Sequence, residues 1–380
     1  MKLCVIITVS QNLYSLYRKQ FSYLKSKGYD ITAIAAPGPE HKLLRSQGIK
    51  TVEINMVKRP SPLLDLVSLF KLWKHFLFNR YDVVSVSTPK ASLLGALAGY
   101  FSFHPNIIFT LRGRAYENEV GIKRKIYMQI DKLICSISKK VFCISKEIMN
   151  DCINSGIVSK EKIFVLGQGS SNGVDLSIFT RNDELSKKSN AIRQRLEIKE
   201  SDIVLLYSGR LRNDKGIREL LDAFELINSE DCKLIIQGEF DNTDPLPHVY
   251  RKKIESNERI YLEGWSFNVE TYFSCADIFV FPSYREGFGN VAIEASAMEL
   301  PVVAFDVVGC RESVVHNSTG VLVKARSVND LALGIEQLIH DEQLRSTFGK
   351  NGRARIEKYF DSYVIWDSLH DVYSSISEKS

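Results

Sequence analysis

At 380 residues the chain is about two to three times the usual domain length, so two domains with full cores are expected. Hydrophobic residues at 44%, charged at 25% and aromatic at 10% exclude a disordered, collagen-like or disulfide-scaffold chain. The net charge of +5 is lopsided, because residues 1–185 carry 26 Lys and Arg against 14 Asp and Glu while residues 186–380 carry 24 against 31; the first half, at +12, is expected to meet an anionic surface, and the second, at −7, is not.

The chain opens on Met1-Lys2-Leu3 and an apolar strand pattern that reaches Ser10 and Gln11 too early for a secretory leader, so none is expected. Short β-branched runs then alternate with helix-length amphipathic stretches. Strands are expected at 3–9, 31–35, 52–54, 83–87, 107–111, 141–144 and 163–166, and helices at 12–26, 62–78, 91–101, 123–138 and 146–155. The longest nearly uncharged apolar stretch, 91–103, has 13 residues against the about 20 that span a bilayer, so no membrane crossing is expected. Within 64–80, Leu66, Leu69, Phe70, Trp73 and Leu77 stand beside Lys71, Lys74, His75 and Arg80. That composition fits a helix covering the sheet as well as an interfacial one, and the positive first half favours the interface.

The alternation breaks at the turn-rich run from Gly167 through Asn172, Gly173 and Val174 to Asp175, followed by the polar segment 180–202, which is expected to connect two domains. It resumes with strands at 203–207, 234–236, 260–262, 278–281, 302–305 and 321–323, and helices near 217–226, 291–298, 329–339 and 342–358. A last segment, 362–377, sets Tyr363, Trp366, Leu369, Val372, Tyr373 and Ile376 at helical spacing, an apolar stripe that needs a partner. The expected architecture is α/β, two tandem Rossmann-like domains facing across a cleft, with boundaries 1–185 and 186–360 and a C-terminal helix, 361–380, packing back on the first domain. The seven cysteines form no CxxC pair and sit mostly in apolar contexts, which excludes a zinc site or disulfide framework and points to a reducing compartment.

The densest chemical signal runs from Phe281-Pro282-Ser283-Tyr284-Arg285 through Glu286-Gly287-Phe288-Gly289-Asn290-Val291 to Glu294. A strand ends, a glycine-containing turn follows and a helix opens near Asn290. The backbone N–H groups of Gly289, Asn290 and Val291 are then unpaired where the helix carries partial positive charge, a place for phosphate. Gly287 and Gly289 let the backbone on either side of Phe288 approach a ligand. Glu286 and Glu294 flank that position with acceptor-only carboxylates suited to sugar hydroxyls. A second strand-to-helix turn, Ser208-Gly209-Arg210-Leu211-Arg212-Asn213-Asp214-Lys215-Gly216, carries Arg210 and Lys215 to the same sheet edge, where Arg grips a diphosphate bidentately and Lys acts as a point charge.

These residues resemble the retaining glycosyltransferases of the two-Rossmann-domain (GT-B) fold, family 4, and within it the group that assembles bacterial surface polysaccharides; the resemblance covers nearly the whole chain. Glu286 and Glu294, seven residues apart, are similar to the family's E-x7-E element, whose first Glu holds donor-sugar hydroxyls and whose second holds the ribose. Arg210 and Lys215 are similar to its diphosphate clamp. Ser87-Thr88-Pro89-Lys90-Ala91, Thr110-Leu111-Arg112-Gly113-Arg114 and Asn172-Gly173-Val174-Asp175 carry the resemblance in the first half. Two departures stand out: Thr8-Val9-Ser10-Gln11-Asn12 replaces a Gly-Gly loop, and Arg112 stands where many relatives have His, which suits it to a phosphate rather than to neutral-imidazole chemistry.

The resemblance implies a cytoplasmic enzyme, peripheral at the inner face of the cell membrane, that moves a hexosyl or N-acetylhexosaminyl group from a nucleotide diphosphate sugar, preferably UDP-linked, to a lipid-linked oligosaccharide of O-antigen, capsule or exopolysaccharide. Glu286, Arg210, Lys215 and Arg112 are its expected catalytic residues, and Gly209, Gly287, Phe288, Gly289, Asn290, Val291 and Glu294 line the donor. Base recognition is expected near residues 264–267 through backbone groups. With no Asp-x-Asp and seven scattered histidines, no metal is expected, and no cofactor beyond the sugar nucleotide, which is a substrate. The rival readings are a sugar-nucleotide epimerase of the same fold, for which no acid/base set is found, and a basic nucleic-acid-binding protein, for which no RNA or DNA motif accompanies the charge.

Overall fold

Strands covered by helices on both faces must be apolar throughout, and the short β-branched runs of this chain meet that demand. The first sheet comprises β1 (Lys2–Ile6), β2 (Asp30–Ala35), β3 (Lys50–Glu53), β4 (Val83–Ser87), β5 (Ile107–Leu111), β6 (Lys140–Cys143) and β7 (Ile163–Val165), all parallel, in the order 3-2-1-4-5-6-7. The second comprises β8 (Ile203–Ser208), β9 (Cys232–Gln237), β10 (Ile260–Glu263), β11 (Ile278–Phe281), β12 (Val302–Phe305) and β13 (Gly320–Val323), also parallel, in the order 10-9-8-11-12-13. In each sheet the strand order reverses once, between β1 and β4 and between β8 and β11, and such a switch point opens a crevice at the carboxyl ends of the strands. This computed structural model describes residues 1–377 except 58, 115, 118, 228, 242 and 243.

The chain divides into Met1–Asn172 with Tyr363–Ser380, and Gly173–Ser362. In the first unit the helix Ser362–Ser377 supplies Trp366, Leu369, Tyr373 and Ile376 to a core shared with Leu3, Val5 and Phe21. Trp366 Nε1 donates to Asn172 Oδ1 (2.7 Å), and the Tyr373 hydroxyl donates to Ser85 Oγ (3.2 Å). Tyr363 stays exposed, so the buried stripe is narrower than the spacing implied.

The units part between residues 172 and 173 rather than at the expected 185 and 186. Val174 bridges Asp361, and the Phe179 ring lies 6.0 Å from that of Phe273, which holds residues 173–185 to the second unit. The polar stretch expected to be a connection contains the helix Asp183–Arg195, capped by Asn182, whose side chain accepts from Leu185 N. It buries Leu185 and Ser189 and packs on the helix Val269–Cys275, so a narrow apolar face suffices to hold it. All seven cysteines are buried and form no disulfide, and among the described residues no helix is long and apolar enough to cross a membrane.

Candidate active site

The second unit's switch point is assembled by the loops that follow β8, β11 and β12. After β8 the Tyr207 hydroxyl donates to the Arg210 carbonyl (2.9 Å), fixing the turn from inside. A single 3-10 turn, Asn213–Lys215, ends at Gly216 with φ of 69°, and a Cβ there would lie 1.9 Å from the Pro282 carbonyl oxygen. Glycine is therefore required where the two loops touch. Tyr284 N donates to Asp214 O (3.0 Å), locking the loop after β11 to the same turn.

That docking brings together two residues 71 positions apart: Lys215 Nζ lies 2.5 Å from Glu286 Oε1, with both side chains about four-fifths buried. The loop after β12 backs the pair, because Glu286 N donates to Val308 O (3.3 Å) and a Cβ on Gly309 would lie 2.5 Å from Glu286 O.

The helix Asn290–Ala297 starts at Gly289, whose φ of 74° admits the left-handed turn that points the first helical N–H groups toward the edge of the sheet. Phe288 is 1% exposed with its ring 5.4 Å from that of Phe360, so any ligand contact it makes runs through its backbone. Asn290 and Val291 are half-buried in the first turn. Glu294 is half-buried on the same helix and, among the described residues, makes no hydrogen bond or ion pair. Burial, and secondarily the charge of Glu270, push its carboxyl up to about 7. A carboxylate held this way is ready for hydroxyl donors from a ligand.

Arg210 is placed differently from the expectation that it stands with Lys215: it is 65% exposed, and its Nη1 lies 3.0 Å from Asp241 Oδ2. Asp241 also lies 3.6 Å from Arg212, which approaches Asp214 at 3.1 Å. Arg112 belongs to the first unit, where its Nε donates to Ser87 Oγ (3.0 Å), one Nη to Ser171 O (3.2 Å) and the other to the Tyr17 hydroxyl (3.1 Å). It ties the end of β4 to a later loop and to the helix Ser10–Ser26. The loop after β1 is pinned there too, through Thr8 Oγ1 and Thr88 Oγ1 at 2.7 Å. Tyr207, Asp241, Glu270 and the backing carbonyl of Val308 carry no local mark in the sequence; only Gly309, a glycine just past a strand, offers a signal. Among the described residues no group of three or more His, Cys, Asp or Glu is placed to hold a metal ion.

A cation beside a carboxylate, a helix N-terminus and a second carboxylate gather at the switch point of the second doubly wound sheet, in an α/β protein of two Rossmann-like units. Residues 20–178 match the sequence profile of Glycosyltransferase Family 4, and residues 188–355 that of the Glycosyl transferases group 1. Over 100% of its length the chain is 32% identical to the capsular polysaccharide biosynthesis glycosyltransferase CapM of Staphylococcus aureus, covering 98% of that protein. It is 25% identical, over 93% of this chain and 91% of the other, to the UDP-Gal:alpha-D-GlcNAc-diphosphoundecaprenol alpha-1,3-galactosyltransferase of Escherichia coli. HepE of Anabaena, solved in complex with UDP-glucose, shares the fold with a TM-score of 0.81 at 21% identity, covering 99% of this chain and 100% of that one. The chain belongs to glycosyltransferase family 4 and has the GT-B fold.

Proposed function

We propose that the protein is a retaining, metal-independent transferase that moves a hexosyl or N-acetylhexosaminyl group from a UDP-sugar to a hydroxyl of a lipid-linked glycan, at the inner face of the cell membrane, during assembly of a surface polysaccharide. The observation that carries this reading is the Lys215–Glu286 pair at 2.5 Å on the helix-bearing edge that also holds the unpartnered Glu294.

When the sugar–phosphate bond breaks, its electron pair leaves on the diphosphate. Lys215 and the N–H groups of Asn290 and Val291 meet that charge from fixed positions, the arrangement that lowers a barrier most. Arg210 adds to it by exchanging Asp241 for the diphosphate. Glu286, oriented by Lys215, accepts hydrogen bonds from the donor sugar, Glu294 accepts from the ribose, and the turn 264–267, with exposed Trp265 and Phe267, borders the base. Gly209, Gly287 and Gly289 give the backbone room beside the donor, while Arg112 holds the loops of the first sheet's carboxyl edge for the acceptor diphosphate.

The E. coli relative acts, by its name, on a diphosphoundecaprenol-linked sugar from UDP-Gal with an alpha-1,3 product, which supports the UDP donor, the lipid carrier and retention from an α-linked donor. HepE in complex with UDP-glucose supports the same donor class. A full-length relative that is a transferase weighs against the epimerase. The test is thermal stabilisation by a panel of nucleotide sugars, since a ligand at 100 times its Kd adds about 2.7 kcal/mol. UDP-hexoses or UDP-N-acetylhexosamines should raise Tm; stabilisation only by GDP-, ADP- or CMP-sugars, or by none, overturns the reading.

A further inference from the structure

The helix Pro62–Phe78 buries only Ser68, Leu72 and Phe76, yet exposes seven large apolar side chains, with Leu63 at 80% and Phe70 at 59%. It packs on the helix Pro89–Phe101, which packs in turn on Gly121–Ile137. Exposed apolar side chains also stand on the two neighbours, Tyr100, Phe101 and Phe103 at the end of Pro89–Phe101 and Val120, Ile122 and Ile126 at the start of Gly121–Ile137. A groove of about 480 Å³ lies between the first two helices, lined by Leu66, Leu69, Phe70, Trp73 and Phe101. By contrast the helices Ser10–Ser26 and Glu40–Ser46 expose one large apolar residue between them, Leu43. Scattered exposed leucines are ordinary, whereas seven large apolar side chains on one helix beside a groove shared with Phe101 mark a docking surface.

Charge decides the occupant. The three helices carry seven Lys and Arg against two Asp. Asp65 is ion-paired with Lys90 at 2.6 Å and Asp131 is buried, so the charge presented outward is basic, from Lys71 and Lys74 to Lys125 and Lys132. A second copy docked face to face would set like charges together. An anionic bilayer supplies both complements, acyl chains for the apolar residues and headgroups for the lysines. The helices run antiparallel to the strands, so Leu63, Val120 and Ile122 lie at the carboxyl edge of the first sheet, the edge that holds Thr88 and Arg112.

We propose that the exposed face of the helix Pro62–Phe78, with Phe101 beside it, seats the protein on an anionic phospholipid membrane, with Phe70 and Phe101 entering the acyl boundary and Lys71 and Lys74 meeting the headgroups; it rests on the lipid-linked acceptor of the proposed function and names the surface that reaches it. The test is co-sedimentation of the full chain with vesicles of phosphatidylcholine, with and without phosphatidylglycerol. Wild-type protein binds the anionic vesicles and is released by salt. Phe70→Ser with Phe101→Ser, both exposed and tolerant of the change, lowers partitioning about tenfold or more. Lys71→Ala and Lys74→Ala lower it roughly fivefold per lysine. All variants keep wild-type stabilisation by UDP. The proposal is overturned if wild-type protein ignores anionic vesicles, if the phenylalanine variant partitions like wild type, or if that variant only dissolves a dimer or a protein complex. Vesicle binding lost while UDP still stabilises sinks the surface alone, and the reverse sinks the donor site alone.

Discussion

At Glu294 the demands of binding and of folding oppose each other. Its carboxyl has no hydrogen bond or ion pair among the described residues, and burial first, with Glu270 second, raises it from 4.5 to about 7. Because the folded value lies above the unfolded one, its favourable contribution to stability is complete below about pH 4.5 and is lost as the pH rises through about 7. That difference amounts to about 3 kcal/mol once the group is ionised. A glutamine amide in its place leaves its own polar atoms short of partners, which returns about 1–2 kcal/mol. Glu294→Gln should therefore stabilise the ligand-free protein by about 1–2 kcal/mol at pH 8 and destabilise it by up to about 1 kcal/mol at pH 5, where the carboxyl is still mostly protonated in the folded state. In a unit of this size the gain corresponds to roughly 2–8 °C in Tm. The same variant should bind a UDP-sugar more weakly by about 1.5–3 kcal/mol, the range for a hydrogen bond to a charged group. Scanning calorimetry at both pH values, with and without the sugar nucleotide, measures both effects. Equal Tm shifts at pH 5 and pH 8, or undiminished UDP-sugar affinity, would refute the reasoning.

Wild-type affinity for a UDP-sugar should fall by up to about tenfold per pH unit below 7 as Glu294 takes up its proton, and Glu294→Gln should flatten the profile; the sugar nucleotide is the right probe, because free UDP titrates its own terminal phosphate in that range. Lys215→Ala should lower kcat by about 10²-fold or more, and a wild-type rate would place the diphosphate clamp elsewhere. Glu286→Gln should lower kcat strongly while leaving UDP affinity within a few-fold, so loss of UDP binding there, with Glu294→Gln unaffected, would mean the donor lies reversed. Turnover should survive EDTA; complete loss restored only by Mn²⁺ or Mg²⁺ counts against the cationic side chains as the sole balance for the leaving group.

Elements whose apolar runs end at clear turn residues were legible to the residue: 62–78, 83–87, 107–111, 278–281 and 302–305 match the helix Pro62–Phe78 and the strands β4, β5, β11 and β12. The helix Asp183–Arg195 was not, because it buries so little that its polar composition reads as a connection. Likewise the parting of the units at 172 and 173 depends on Val174 bridging Asp361, a long-range contact with no local mark. At the site, residue types and spacing singled out Lys215, Glu286 and Glu294. Their spacing did not disclose that Lys215 pairs with Glu286, since that contact is made only when Gly216 meets Pro282. Nor did it disclose that Arg210 leans on Asp241, which comes from the loop after β9.

The central claim is transfer with retention from a UDP-sugar to a lipid-linked acceptor, and the product's anomeric configuration tests it most directly. A panel of α-linked UDP-hexoses and UDP-N-acetylhexosamines, incubated with the protein and a lipid-diphosphate-linked sugar, should yield from at least one donor a glycan whose new linkage is α by the one-bond C–H coupling in its NMR spectrum. A β linkage, or an epimerised sugar nucleotide with no glycan formed, would contradict the account.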